Sequence, residues 1–142
     1  MTSACAPTGL TFGNAKDEKT VNAPVDPRLV FLSGDLVFAG RVRGVCANHD
    51  VRFYFGGNLP DDSDPAEATR LVVLDLATRG GLTTTLVPQV RERFPQAEVV
   101  AYAPHVHKEK LAQAVSAGFD FVLTRGQFDS QLSKLVEKIA AT

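Results

Sequence analysis

The stretch Leu71-Val72-Val73-Leu74-Asp75, followed by Leu76-Ala77-Thr78-Arg79-Gly80-Gly81, decides the fold. Four apolar residues run without alternation and end on a carboxylate. A continuous run of this kind predicts a strand covered on both faces, as in a parallel sheet. Gly80 and Gly81 then break the chain before an amphipathic stripe begins. Upstream, Leu29-Val30-Phe31-Leu32 repeats the pattern and ends at Ser33-Gly34-Asp35. Three further strands are predicted at Val51 to Phe55, Glu98 to Tyr102 and Phe119 to Leu123.

Helical spacing fills the intervals. Phe38, Val42, Val45 and Cys46 form a stripe that Asp35 is placed to cap, with Arg41 and Arg43 off the stripe and Gly40 and Gly44 weakening the helix. The loop from Gly56 to Asp64 carries Asp61, Asp62 and Asp64 and leads into a short helix opened by Pro65. Leu82, Leu86, Val90 and Phe94 mark another helix; Pro88 lacks a backbone donor, so its start is expected near Thr85. Lys108 to Ala117 forms the next, with Gly118 as a left-handed stop. Asp129 is expected to cap the last, which turns Leu132, Leu135, Val136 and Ile139 inward. Five strands alternating with five helices predict a doubly wound α/β fold. This is a five-stranded parallel sheet in the order 2-1-3-4-5, a flavodoxin-like three-layer sandwich.

Composition sets bounds on function. The 142 residues, 44% hydrophobic and 22% charged, suit one domain that needs neither metal nor disulfide for stability. Residues 1–27, with three prolines and one apolar patch at Leu10 to Phe12, are expected to form a flexible arm, and residues 28–142 the folded domain. Fifteen Lys+Arg against sixteen Asp+Glu give a net charge of -1, without the basic excess that nucleic acid or anionic lipid normally requires. No apolar run approaches a membrane span, and the amino terminus lacks the pattern of a signal peptide. Cys5 and Cys46 allow only one bridge, so a reducing, cytoplasmic setting is expected, with Cys46 a small buried residue.

In a doubly wound sheet, function gathers at the carboxyl ends of the strands, beside the point where strand order reverses. For this order the crevice lies between the first and third strands. The residues at that edge are Ser33, Gly34, Asp35, Asp75, Ala103, Pro104, His105, Thr124, Arg125 and Gly126.

Three stretches, RLVFLSGD (28–35), LVVLDLATRGG (71–81) and AGFDFVLTRGQF (117–128), taken in this order and spacing, resemble the receiver domain of bacterial response regulators. The resemblance runs from Arg28 to about Ala141. It implies a phosphoacceptor aspartate that attacks a phosphoryl group carried by a histidine kinase. It further implies a Mg2+ ion held by that aspartate and an acidic pair, with a lysine and a hydroxyl on the phosphoryl oxygens. Asp75 matches the acceptor, but Ser33 and Gly34 stand where the acidic pair would be. Asp35 matches a third acid found beside that pair in some members. Arg125 occupies the place of the lysine, Gly126 that of the following proline, Ala103 that of the hydroxyl residue, and Val122 that of the switching aromatic.

These departures describe a degenerate receiver-like member. The expectation is a signalling or protein-interaction module that acts by noncovalent binding and is not an enzyme. No cofactor is expected, Mg2+ being retained weakly at best, and Asp75 is expected to pair with Arg125 across the crevice. Its partner would be a kinase or an output protein, or a second copy of the chain. The polar face with His107, Lys108, Lys110, Gln127, Gln131 and Lys134 would carry that contact. The alternative is a phosphoaccepting single-domain regulator that uses Asp75. A further alternative is a module binding a small anion or nucleotide between Arg125 and Thr83-Thr84-Thr85, a hydroxyl-rich segment of the kind that cradles phosphate. His105 and His107 form an H-x-H that fits a loop and a helix cap better than a metal site. No dinucleotide, P-loop or nucleophile-elbow motif occurs.

Overall fold

The computed structural model describes residues 26–141; the expectations for residues 1–25, Cys5 and the Leu10 to Phe12 patch included, lie outside them. The strands are β1 (Arg28–Leu32), β2 (Arg52–Gly56), β3 (Thr69–Asp75), β4 (Glu98–Ala103) and β5 (Phe121–Thr124). All pair in parallel, in the order β2-β1-β3-β4-β5. This is the 2-1-3-4-5 sheet that the apolar runs predict. The helices are α1 (Leu36–Asn48), α2 (Leu76–Arg79), α3 (Leu86–Arg93), α4 (Lys108–Ser116) and α5 (Arg125–Ala140).

Side chains alternate across each strand, so every central strand feeds two cores. On one face Leu29 and Phe31 of β1, Leu71 and Val73 of β3 and Val100 and Tyr102 of β4 pack against α1 and α5. On the other, Val30, Leu32, Val72, Leu74, Val99 and Ala101 meet α3 and α4. The first core is aromatic. Tyr102 stacks on Phe31 and Phe128 with ring centroids 6.1 and 4.8 Å apart, and Phe38 closes the cluster at a tilt. Cys46 lies in this core with a free thiol, and burial pushes its pKa up to about 12.

Several element boundaries differ from the sequence reading. The helix expected after Pro65 is a single 3-10 turn, Ala66–Ala68. The long crossover before it is tied down by cations instead. Arg28, only 4% exposed, bonds Asp62 and Thr69 and pairs with Asp64, which Arg52 also holds, while Arg93 donates to the Pro60 carbonyl. Asp129 does not cap α5. Thr124 does, accepting from the Gln127 backbone N–H while the Gln127 side chain accepts from Thr124 N, a reciprocal capping box. Asp129 lies within the helix and pairs with Arg41. Thr85 stands at the start of α3, where Pro88 falls in the first turn and its missing donor costs no helical bond. Gly118 adopts φ +92° and stops α4 as expected.

Candidate functional site

Asp75 closes β3 and its side chain turns back to cap α2: Oδ1 accepts from Ala77 N at 3.0 Å. Oδ2 accepts from two hydroxyls, Ser33 Oγ at 2.8 Å and Thr78 Oγ1 at 2.9 Å. The residue is 3% exposed and Ser33 2%. Ser33 Oγ in turn accepts from Asp35 N, and Thr78 Oγ1 from Gly34 N. The ends of β1 and β3 are thereby laced together around one carboxylate. Charge-assisted bonds of this kind satisfy a buried carboxylate without a cation.

The ion pair expected between Asp75 and Arg125 does not form. Arg125 Nη1 lies 3.2 Å from Asp35 Oδ2, and its guanidinium carbon stands 4.5 Å above the Phe38 ring. A planar cation stacks well on an aromatic face, and at the start of α5 that face is within reach while the Asp75 oxygens are already occupied. Asp35 caps α1 through Phe38 N at 3.0 Å. That backbone bond, together with the nearby Arg125 charge, outweighs partial burial and holds the Asp35 carboxyl below the usual range.

Ala103 is fully buried at the end of β4 and offers only a methyl group to the second core. Tyr102, the register partner of Asp75 across β3 and β4, brings its hydroxyl beside Ser33. Burial, and then the Asp75 charge, push that phenol well above its ordinary pKa. Val122 packs half-buried on the second core and Gly126 sits in the first turn of α5. Thr83 donates its hydroxyl to the Gly80 carbonyl at 2.7 Å. His105 is exposed and His107 starts α4 without a side-chain cap bond. Among the described residues no three His, Cys, Asp or Glu side chains converge to hold a metal ion. Among them also, no helix is long and apolar enough to cross a membrane.

Thr78 and Tyr102 escape the sequence reading. The Asp75-x-x-Thr78 spacing is the available signal for the first, because one helical turn returns the fourth residue to the capping position. Strand alternation from Val100 puts Tyr102 on the Asp75 side and is the signal for the second.

No protein-family model matches the chain, and no similar curated protein is found. Solved structures do resemble it. A response regulator from Thermotoga maritima superposes with a TM-score of 0.59 at 18% identity, over 83% of this chain and 100% of that one. The signal receiver domain of an HD domain-containing protein from Pseudomonas fluorescens Pf-5 gives 0.59 at 12% identity, covering 82% and 98%. The beryllofluoride-activated NtrC4 receiver domain dimer gives 0.55 at 12%, covering 79% and 98%. The helix-flanked 2-1-3-4-5 sheet and these superpositions agree: the chain has the fold of a response-regulator receiver domain.

Proposed function

We propose that this chain is a receiver-like signalling module that works by noncovalent binding, with Asp75 serving as a structural cap and not as a phosphoacceptor. One observation carries the reading: the buried Asp75 carboxylate already accepts from Ser33, Thr78 and Ala77. Phosphoryl transfer needs a free carboxylate oxygen as nucleophile and a cation to neutralise the incoming charge. The residues do not fit Mg2+. That ion demands near-octahedral oxygen ligation, whereas Ser33 brings a hydroxyl already bonded to Asp75, Gly34 brings no side chain, and Asp35 pairs with Arg125. The signal would leave by contact with a protein partner, a kinase, an output protein or a second copy, in the cytoplasm, with no catalysis and no cofactor. Polar Lys108, Gln127, Gln131 and Lys134, with exposed Val115 and Phe121 among them, make the face of α4, β5 and α5 suited to such a contact.

The test is incubation with Mg2+ and a small phosphodonor, read by intact mass. The reading expects no adduct. A phosphoryl adduct that disappears in Asp75→Asn would establish the alternative, a phosphoaccepting regulator.

A further inference from the structure

β2 lies at one edge of the sheet, and among the described residues only β1 pairs with it. Arg52 N–H donates to the Pro27 carbonyl, and the Gly56 carbonyl accepts from Ser33 N–H. Successive peptide groups of a strand in a parallel pair point to opposite sides, so Arg52, Tyr54 and Gly56 face β1. The N–H and C=O of Phe53 and Phe55 therefore point away from the sheet. Natural edges of this kind are guarded by charge, proline, a bulge or a covering segment. Between Arg52 and Gly56, β2 carries only Phe53, Tyr54 and Phe55, all half-buried, with Phe53 and Phe55 stacked on one face at 6.5 Å. The opposite edge is better protected: β5 has four residues, and Lys138 Nζ stands over its Phe121 ring.

Which segment can cover the β2 edge is set by where the rest of the chain joins it. The Arg52 guanidinium donates to the Asp26 carbonyl at 3.1 Å, so the residues that precede Asp26 join the domain beside the amino end of β2. Their sequence includes Thr8-Gly9-Leu10-Thr11-Phe12-Gly13, in which two apolar residues flank a threonine and glycines bound the run. Alternation with period two suits a strand that has one apolar face.

We infer that segment 8–13 of the same chain adds to β2 as a sixth, antiparallel strand, with Phe12 opposite Phe53 and Leu10 opposite Phe55. In that register each pair exchanges N–H and C=O bonds with the outward peptide groups. Directly opposite side chains share a face, so Leu10 and Phe12 cover the Phe53 and Phe55 rings. The connection closes without strain. Phe12 would stand two strand spacings, about 10 Å, from β1, and the stretch from Phe12 to Asp26 can reach about 45 Å. The antiparallel direction also brings the chain out at the amino end of β2, where Asp26 lies. An extended peptide from another protein, docking by strand addition, would have to displace this segment first.

The test is amide hydrogen exchange of the full chain, read by NMR. The Phe53 and Phe55 amides should exchange slowly although they face away from β1. Leu10→Asp combined with Phe12→Asp should speed both about tenfold or more. Tyr54, whose amide faces β1, should not change, which verifies that the sheet is kept. A nitroxide on Cys5, the Cys46 thiol being buried, should broaden Gly57 and Asn58 at the carboxyl end of β2. Exchange of Phe53 and Phe55 at the rate of open amides in the unsubstituted chain would overturn the inference. So would slow exchange that survives the double substitution, or protection that rises with protein concentration, because the edge of a second copy would then be the cover. Broadening at Arg52 in place of Asn58 would overturn the antiparallel register. None of these outcomes depends on whether Asp75 accepts a phosphoryl group.

Discussion

Two carboxylates meet the crevice, and they are satisfied in opposite ways. Asp35 ends the turn after β1, caps α1 and leans on a half-exposed guanidinium. Asp75 ends β3, caps α2 and is almost fully buried, with two hydroxyls and a backbone amide as its donors and no cation among them. The difference teaches how a buried charge is kept. At the rim, solvent helps and a half-exposed cation suffices. In the interior, fixed dipoles must do the solvating, and they then stand between the carboxylate and any metal.

Removing Asp75 is the strongest way to break this contrast. Asp75→Ala deletes a cap worth about 1 kcal/mol and strands the buried Ser33 hydroxyl, for a total near 3 kcal/mol in urea denaturation at neutral pH. Asp75→Asn sharpens the comparison through its sign. If neighbouring carboxylates crowded Asp75, neutralising it would relieve repulsion and raise stability. With two hydroxyls and a backbone amide donating to it, the same change should cost about 1–2 kcal/mol, because an amide is a weaker acceptor and its NH2 replaces one of the two accepting oxygens.

On the Asp35 side the effects are smaller. Arg125→Ala loses a half-exposed ion pair and the stacking on Phe38, about 1 kcal/mol in all. Asp35→Asn should change stability by a few tenths at neutral pH, since asparagine caps as well as aspartate. The smallest effect appears in the pH dependence. Asp35, Asp62 and Asp120 all have carboxyls lowered in the folded chain: Asp35 by its cap bond, Asp62 by the Arg28 bond, and Asp120 by Arg91 and Val99 bonds that overcome its burial. Near pH 4 and below, the unfolded chain therefore binds more protons than the folded one. The stability these groups add is complete above their unfolded pKa and is lost as pH falls through the folded values. Melting temperature should drop in that window, and the slope should be slightly shallower in Asp35→Asn.

Much of the fold is legible in the sequence for a specific reason. Leu29 to Leu32 and Leu71 to Leu74 are continuous apolar runs because both faces of a central parallel strand are covered. Where an element is set by a side-chain bond, the reading is uneven: the Asp35 cap of α1 is legible and the cap of α5 is misplaced. The Thr124-x-x-Gln127 capping box starts α5 five residues before the expected Asp129 cap, although its spacing is visible. The crossover after β2 reads as a loop leading into a short helix opened by Pro65; the loop is held by ion pairs from Arg28 and Arg52, and the helix is reduced to one 3-10 turn. At the site, sequence order brings Ser33, Asp35, Asp75 and Arg125 to one edge but does not fix rotamers. Which cation meets which acid depended on the Phe38 ring and on the Thr78 hydroxyl, neither of which had a role at the site in the sequence reading.

The most direct test of the Asp75 assignment is the response of the Gly34, Ala77 and Thr78 amides to Mg2+ with beryllofluoride, a mimic of the phosphoryl group. These amides should stay unshifted at concentrations that saturate a phosphoaccepting receiver domain run beside them. Saturable shifts confined to the ends of β1 and β3, abolished in Asp75→Asn, would contradict the account.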